Sequence, residues 1–173
     1  EYIGNPLAME AYWKEWNNLQ SKQVWLWESL IERDEAIKRH RGECPEGVEP
    51  EIHFGYLFGI MVEKGSEFPL GDPRRYYKYR VVFQGNNVRD QNWDVALFNE
   101  MASTRATMEA SRIADIYSCF HGNTMEGRDV EQAYLQAEMR GPPVYITLPQ
   151  ELWTEELHRM RAPVVRLEKA LYG

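Results

Sequence analysis

The residue best placed to carry chemistry is Asp129, the last aspartate in the sequence. It follows the polar turn Gly122-Asn123-Thr124 and precedes a run of helix formers, a pattern that predicts a carboxylate at the end of a strand with a helix beginning just after it. A carboxylate held there on a rigid element and facing a cleft suits metal binding. The Val130 carbonyl would face the same way, and Tyr134, about one and a half helical turns further on, could close the same pocket. An isolated Asp at such a place is more often a helix cap or a surface residue.

A second candidate is a basic stretch inside an acidic protein. Residues 73–89 contain no acidic residue, and their cations alternate with aromatic side chains: Arg74, Arg75, Lys78, Arg80 and Arg89. Basic residues interleaved with aromatics suit contact with phosphates and packing against a base or a ribose. On composition alone, an exposed hairpin carrying solubilising charges is an equally good interpretation.

The elements that must position these residues follow from sequence patterning. Asn5 and Pro6 predict the start of a helix whose inward side carries Met9, Trp13 and Trp16. The charge-rich residues 28–41 predict a solvated helix, with Leu30, Ile31 and Ile37 directed inward. Strict alternation predicts strands over residues 53–63 and 76–85. The apolar face of the first strand would consist of Phe54, Tyr56, Phe58, Ile60 and Val62.

The second half of the chain predicts shorter elements. Ser103 or Thr104 can cap a helix, residues 144–148 and 164–167 predict strands, and residues 150–160 predict an amphipathic helix. Helices and strands are mixed without regular βαβ units, and the strands at 53–63 and 76–85 look hairpin-joined. This organisation predicts an α+β fold.

Composition narrows the class of protein. A chain of 173 residues with 43% hydrophobic residues predicts one folded domain, and its net charge of −7 means that any nucleic-acid binding must come from a local patch.

Cys44 and Cys119 form no CxxC motif, which favours free thiols in a reducing compartment. The sequence shows no signal peptide and no apolar run long enough to span a membrane. We therefore expect an intracellular protein, cytoplasmic or nuclear, without a membrane partner; its start at Glu1 and its stop at Gly173 suggest a piece of a longer one.

Four blocks in one order resemble the reverse transcriptases of copia-type (Ty1/copia) retrotransposons. Asp129-Val130-x-x-Ala133-Tyr134-Leu135 is similar to the first catalytic motif of that family. Tyr77-Lys78-Tyr79-Arg80-Val81-Val82-Phe83-Gln84-Gly85 resembles its Tyr-Lys-Ala-Arg-Leu-Val-Ala-Arg-Gly block. Val144-Tyr145-Ile146-x-Leu148-Pro149 and Val164-Val165-Arg166-Leu167-x-Lys169-Ala170-Leu171-Tyr172-Gly173 resemble its two following blocks. The resemblance extends over nearly the whole chain, roughly from Pro6 to Gly173.

The resemblance implies the fingers and the early palm of an RNA-directed DNA polymerase within a retrotransposon polyprotein. Residues 1–173 would form a single partial domain, with a helical lead-in at 1–52, a fingers hairpin region at 53–101 and an early palm at 102–173. Its partners would be an RNA or DNA template-primer, a deoxynucleoside triphosphate (dNTP) and the remainder of the polyprotein.

The resemblance also implies a role for each candidate residue. Asp129 would be catalytic and bridge two Mg²⁺ ions, with the Val130 carbonyl supporting one of them, and Tyr134 would crowd the 2′ position of the sugar. Lys78 and Arg80 would contact the triphosphate, one as a point charge and one as a fork. Further contacts to nucleic acid would come from Arg74, Arg75 and Arg89.

The sequence also departs from the family pattern. Mg²⁺ requires more than one protein carboxylate, which the family supplies from a Tyr-x-Asp-Asp turn, and this sequence has no Asp-Asp pair. We therefore expect no polymerisation by these residues alone. Phe83-Gln84 stands where the family has Ala-Arg, and Gln136-Ala137-Glu138 where it has Asn-Gly-x.

Two other function classes compete. One is a decayed or repurposed fragment acting as an RNA- or protein-binding module, which would keep the aromatic core and the basic stretch but not depend on Asp129. The other is an unrelated hydrolase, for which the four scattered histidines and the absence of a GxSxG motif give little support.

Overall fold

The computed structural model describes residues 4–96, 107–127 and 133–171. In chain order it contains α1 (Pro6–Ser21), β1 (Trp25–Glu32), α2 (Arg33–Glu43), β2 (His53–Lys64), β3 (Tyr76–Phe83), α3 (Met108–Ser118), β4 (Val144–Thr147), α4 (Glu155–Arg159) and β5 (Pro163–Leu167). Helices and strands are mixed around a five-stranded sheet, so the predicted α+β class is confirmed.

The chain divides into two compact units. One consists of residues 1–96 and 133–173 and holds the sheet; the other consists of residues 97–132 and holds α3. The sheet draws β1 from the predicted lead-in, β2 and β3 from the predicted fingers region, and β4 and β5 from the predicted early palm. The three sequence regions therefore interleave in one sheet.

The sheet has the strand order β1-β5-β4-β2-β3. Strands β2 and β3 pair antiparallel from Leu57 opposite Phe83 to Lys64 opposite Tyr76, which confirms the predicted hairpin. Strand β4 runs parallel to the first residues of β2, from His53 opposite Val144 to Tyr56 opposite Thr147. Beyond that point β2 pairs with β3 alone among the described strands, and the hairpin projects from the sheet.

Helix α1 begins as predicted. The Asn5 side chain accepts hydrogen bonds from the backbone N–H groups of Leu7 and Ala8, at 3.0 and 3.4 Å, and Pro6 occupies the first helical position. These contacts satisfy backbone donors that have no partner within the helix. Trp16 is buried as predicted, but the prediction was wrong for Trp13, which is 48% exposed.

The predicted helix over residues 28–41 was wrong in its first part. Residues 28–32 belong to β1, and the helix begins at Arg33. The cause is pairing with β5, which lies far away in sequence. The register of this pairing shifts between Leu26 and Ile31. There the Arg166 N–H donates to the Ser29 hydroxyl, at 2.7 Å. Leu30, Ile31 and Ile37 nevertheless pack against the core as predicted.

Glu32 closes the junction between β1 and the turn before β5. Its two carboxylate oxygens accept from the backbone N–H groups of Arg161 and Ala162, at 2.7 and 2.8 Å. We expect Glu32→Ala to lower the free energy of unfolding by about 1–2 kcal/mol, because two charge-assisted hydrogen bonds are lost. Urea unfolding measures this loss. Glu28→Ala, which removes an exposed carboxylate from the same strand, should change stability by less than about 0.5 kcal/mol. Equal losses in the two variants would contradict this role for Glu32.

The predicted faces of β2 were only partly correct. His53, Phe54 and Gly55 are buried whichever way they point, because this part of the strand lies inside the sheet. After Leu57, the predicted apolar face becomes exposed: Phe58, Ile60 and Val62 are each about 40% accessible. The side of the hairpin that α1 covers is the opposite one, which carries Tyr79 and Val81.

The helix predicted over residues 150–160 is interrupted, and the helix α3 of the structure begins at Met108. Residues 150–160 form a 3₁₀ turn, Gln150–Leu152, and the short helix α4, Glu155–Arg159, instead of one helix. The break coincides with Trp153, whose indole N–H donates to the Leu148 carbonyl at 2.8 Å. Helix α3 begins at Met108, capped by the Thr107 hydroxyl, which accepts from the Ala110 N–H; the predicted caps, Ser103 and Thr104, lie outside the described residues.

The elements predicted around Asp129 also differ. Residues 123–127 show no strand, and the run of helix formers yields one 3₁₀ turn, Ala133–Gln136, instead of an α-helix. After this turn the backbone pairs with the segment that follows β5 and does not continue as a helix. The Met139 N–H donates to the Glu168 carbonyl at 2.8 Å, and the Ala170 N–H donates to the Ala137 carbonyl at 3.0 Å.

Candidate nucleotide and nucleic-acid interface

Lys78 and Arg80 lie on the open side of the β2–β3 hairpin. Residues directly opposite each other in an antiparallel pair point to the same face, and Lys78 lies opposite Val62 while Arg80 lies opposite Ile60. The register therefore assembles one surface from both strands, which we call the hairpin face. It consists of Phe58, Ile60, Val62, Lys64, Tyr76, Lys78, Arg80 and Val82.

The hairpin face combines exposed cations with exposed apolar side chains. Lys64, Lys78 and Arg80 border a shallow depression of about 90 Å³ whose remaining lining is Ile60 and Val62. Two cations at alternate positions of one strand have Cα atoms about 7 Å apart, a spacing at which both can reach neighbouring phosphate groups. Ile60 and Val62 offer apolar contact beside the cations. The sugar and base of a nucleotide can use such a contact, whereas a simple phosphate ion cannot.

One carboxylate lies close to these cations. Glu15 of α1 accepts a hydrogen bond from the backbone of Val81, on the outer edge of β3. Burial raises the pKa of Glu15, although this hydrogen bond and the charges of Lys78 and Arg80 favour its ionised form. Glu15 therefore satisfies a backbone group of β3. Its negative charge partly offsets the positive potential of the hairpin face.

Arg74 and Arg75 are engaged within the protein. Arg74 makes two hydrogen bonds to the Asp72 carboxylate, at 2.9 and 2.7 Å, and its guanidinium lies 3.6 Å from the centre of the Phe68 ring. Arg75 donates twice to Glu63, at 2.8 and 2.6 Å, and once to the Phe68 carbonyl. The structure thus places both arginines in the ordering of the loop between β2 and β3, and neither lines the depression.

Arg89 lies at the other end of β2. Its backbone exchanges hydrogen bonds with Phe54, at 2.7 and 2.9 Å, while the hairpin face begins at Phe58. Phe54 and Ile60 are six residues apart, which corresponds to about 20 Å along a strand. The structure therefore does not bring Arg89 together with Lys78 and Arg80.

The candidate metal ligands Asp129 and Val130 lie outside the described residues. The backbone of Tyr134 belongs to the 3₁₀ turn Ala133–Gln136, and its side chain is outside the description as well. Within the described ranges, no three His, Cys, Asp or Glu side chains come together as a metal site. The two Mg²⁺ ions that the family resemblance implies therefore stay a prediction, because their candidate ligands lie outside the ranges that were searched.

Sequence reasoning missed three residues of the hairpin face and one neighbouring carboxylate, Glu15. Ile60 and Val62 were assigned to the core because they alternate, and Lys64 lay beyond the predicted end of the strand. Pairing the two predicted strands in antiparallel register would have placed all three beside Lys78 and Arg80. Glu15 carried no sequence signal, because its contact with Val81 depends on how α1 packs.

The Tyr79 side chain lies behind the hairpin face, on the side that α1 covers. Burial, the neighbouring Tyr12, and the carboxylates of Glu151 and Glu15 raise the pKa of Tyr79 to about 12 from its ordinary value of 10.0. Because the folded protein holds this proton more tightly than the unfolded chain, stability is unaffected below pH 10 and falls as the pH rises toward 12.

We therefore expect alkaline unfolding in this interval, followed by far-ultraviolet circular dichroism alongside tyrosine absorbance. Tyr79→Phe should move the unfolding midpoint to higher pH, because its ring cannot ionise. An unchanged midpoint would show that Tyr79 does not limit alkaline stability.

Comparisons with known proteins give no relative for this chain: no family model, no curated protein and no solved structure matches it. Among the described residues, no helix is both long and apolar enough to cross a membrane.

Proposed function

We propose that the chain is part of an RNA-directed DNA polymerase of the copia type, and that the hairpin face binds the triphosphate of the incoming dNTP. The observation that carries this proposal is that Lys78 and Arg80 lie side by side on one exposed face. Both belong to the block that resembles the fingers of that family. Asp129, the catalytic residue of the proposal, lies outside the described residues.

The chemistry of the hairpin face supports a phosphate ligand. Lysine provides a compact, mobile charge, and arginine provides a planar fork that matches two phosphate oxygens. Both are exposed, and Ile60 and Val62 supply an apolar floor beside them. In a protein of net charge −7, such a local patch is what an anionic ligand requires.

The arrangement of the resembling blocks also supports the proposal. The fingers block forms β3, and the two blocks after the Asp129 motif form β4 and β5, which are neighbours in the sheet. The residues that follow the Asp129 motif are tied to the last block by the backbone hydrogen bonds of Met139 and Ala170. The chain therefore gathers the three blocks that contain β3, β4 and β5 into one compact unit, while Asp129 and Val130 lie outside the described residues.

In this proposal Asp129 and the Val130 carbonyl are Mg²⁺ ligands, and Tyr134 favours deoxynucleotides. A polymerase site needs further carboxylates, and the sequence has no Asp-Asp pair to provide them. We therefore propose that these residues bind a nucleotide without polymerising it. Primer extension by the isolated chain, abolished in Asp129→Ala, would contradict this restriction.

The test is calorimetric binding of a dNTP to the purified chain with and without Mg²⁺. We expect binding that depends on Mg²⁺ and is weakened by Asp129→Ala. The matched control is Asp34→Ala, which removes an exposed aspartate from α2 and should leave the affinity unchanged. Equal affinity without Mg²⁺ and in Asp129→Ala would overturn the assignment of Asp129.

A second candidate is a binding module for RNA or protein. The observation that favours it is the exposure of Phe58, Ile60 and Val62, because three adjacent apolar side chains on an open face are typical of a contact with a macromolecule. Its signature would be metal-independent binding of RNA or of a protein partner that Asp129→Ala leaves unchanged.

A further inference from the structure

A larger cavity lies on the side of the hairpin that faces α1. It has a volume of about 590 Å³ and an opening to solvent, and its walls come from α1, from the β2–β3 hairpin and from the turn after β4. Its defining residues are Tyr12, Trp13, Gly59, Met61, Tyr79 and Glu151, and we call it the aromatic pocket.

Three aromatic rings meet at steep angles in this pocket. The rings of Tyr12 and Trp13 lie 5.1 Å apart and almost perpendicular, at 88°, and those of Tyr12 and Tyr79 lie 4.8 Å apart at 51°. All three residues line the cavity, and rings set at such angles do not stack face to face. This arrangement suits a rounded positive group that contacts several rings at once.

Gly59 makes room for this arrangement. A Cβ atom at this position would overlap the Tyr79 hydroxyl, so the phenol can cross β2 only where there is no side chain. A glycine in a strand interior weakens the strand and often marks the close approach of another group, and here that group is a wall of the pocket.

The charge of the pocket is negative. Glu151 is the one ionisable carboxylate in the lining, and Lys and Arg are absent from the lining among the residues that the structure describes. Glu151 acts on both phenols: burial, with a further contribution from the Glu151 carboxylate, raises the pKa of Tyr12, and the same carboxylate contributes at Tyr79. The buried Tyr12 hydroxyl has no hydrogen-bond partner of regular geometry within the described chain.

We propose that the aromatic pocket binds a quaternary ammonium group, with Tyr12, Trp13 and Tyr79 contacting its methyl groups and Glu151 supplying the opposite charge. An anion is disfavoured by Glu151 and by the lack of a cation in the lining. A primary ammonium loses more hydration on entering an aromatic site than a methylated one, so methylation favours binding. The group could belong to a small molecule or to a trimethylated lysine side chain. The inference does not rest on the polymerase proposal.

The experiment compares three probes by tryptophan fluorescence and calorimetry on the whole chain. They are choline, its neutral isostere 3,3-dimethylbutan-1-ol, and a short peptide carrying trimethyllysine. We expect choline to bind about tenfold or more tightly than the isostere, since the two differ in charge but hardly in shape. A peptide that binds more tightly than choline assigns the group to a methylated side chain, and a peptide that binds more weakly assigns it to a small molecule.

Variants separate charge from folding. Glu151→Gln keeps the shape of an exposed side chain and should weaken choline binding by about threefold or more, whereas Glu156→Gln, a nearby exposed control, should not. Gly59→Ala should reduce binding by displacing Tyr79. Equal binding of choline and its isostere, no binding of either cation, or an unchanged affinity in Glu151→Gln would each overturn the proposal.

Discussion

Trp16→Ala is expected to lower the free energy of unfolding by about 3–5 kcal/mol, the largest stability loss that we predict for one side chain of α1. The Trp16 indole is 1% exposed and lies in the main hydrophobic cluster. Its ring centre is 5.9 Å from that of Trp25, 6.0 Å from Tyr12 and 6.3 Å from Tyr79, so it joins α1 to β1 and to the hairpin. Truncation would leave a cavity that these rings cannot fill without moving.

Urea unfolding of the two proteins measures this loss, and α1 offers a matched control. Trp13 lies three residues earlier in the helix and is 48% exposed, so Trp13→Ala should cost about 1 kcal/mol or less. The expected loss comes mainly from packing, because the indole is almost completely buried among other rings. Losses of similar size in the two variants would show that Trp16 is not at the centre of the core.

The double replacement of Lys78 and Arg80 by alanine is expected to weaken dNTP binding by about 100-fold. Each cation can make at least one charge-assisted contact with a phosphate, worth about 1.5 kcal/mol or more, and two such contacts correspond to two factors of ten. For a single-stranded nucleic acid, the slope of log affinity against log salt concentration should fall by about 1.4, since about 0.7 of a counterion is released per contact.

Two comparisons make this prediction specific. The double variant Lys38→Ala/Arg39→Ala removes the same charge from exposed positions of α2 and should leave binding nearly unchanged. Glu15→Gln should instead strengthen dNTP binding, because it removes the carboxylate near both cations while an amide oxygen can still accept from Val81. If both double variants lost affinity equally, the hairpin face would not be the binding surface.

Local signals in the sequence predicted the elements that depend on local contacts. Asn5 and Pro6 located the start of α1, because capping involves only neighbouring backbone groups. The alternation over β2 and β3 predicted the hairpin, because its register joins residues close in sequence. The first turn of the supposed helix at 28–41 became part of β1 because β5, more than a hundred residues away, pairs with it.

The candidate site shows the same division between local and distant effects. The basic stretch at 73–89 contains no acid, but the acids that neutralise Arg74 and Arg75 are Asp72, just before it, and Glu63, across the hairpin. Counting charges inside the stretch could not reveal these pairs. The exposure of Ile60 and Val62 was also unpredictable from alternation, because it depends on where β4 stops pairing with β2.

The coding sequence downstream of the Gly173 codon tests the polymerase proposal most directly. A two-metal site needs carboxylates in addition to Asp129, and the family that the chain resembles supplies them from a Tyr-x-Asp-Asp turn. The proposal predicts that an open reading frame continues and encodes such a turn. A stop codon, or a continuing frame without paired aspartates, would contradict it, because Asp129 could then not belong to a polymerase site.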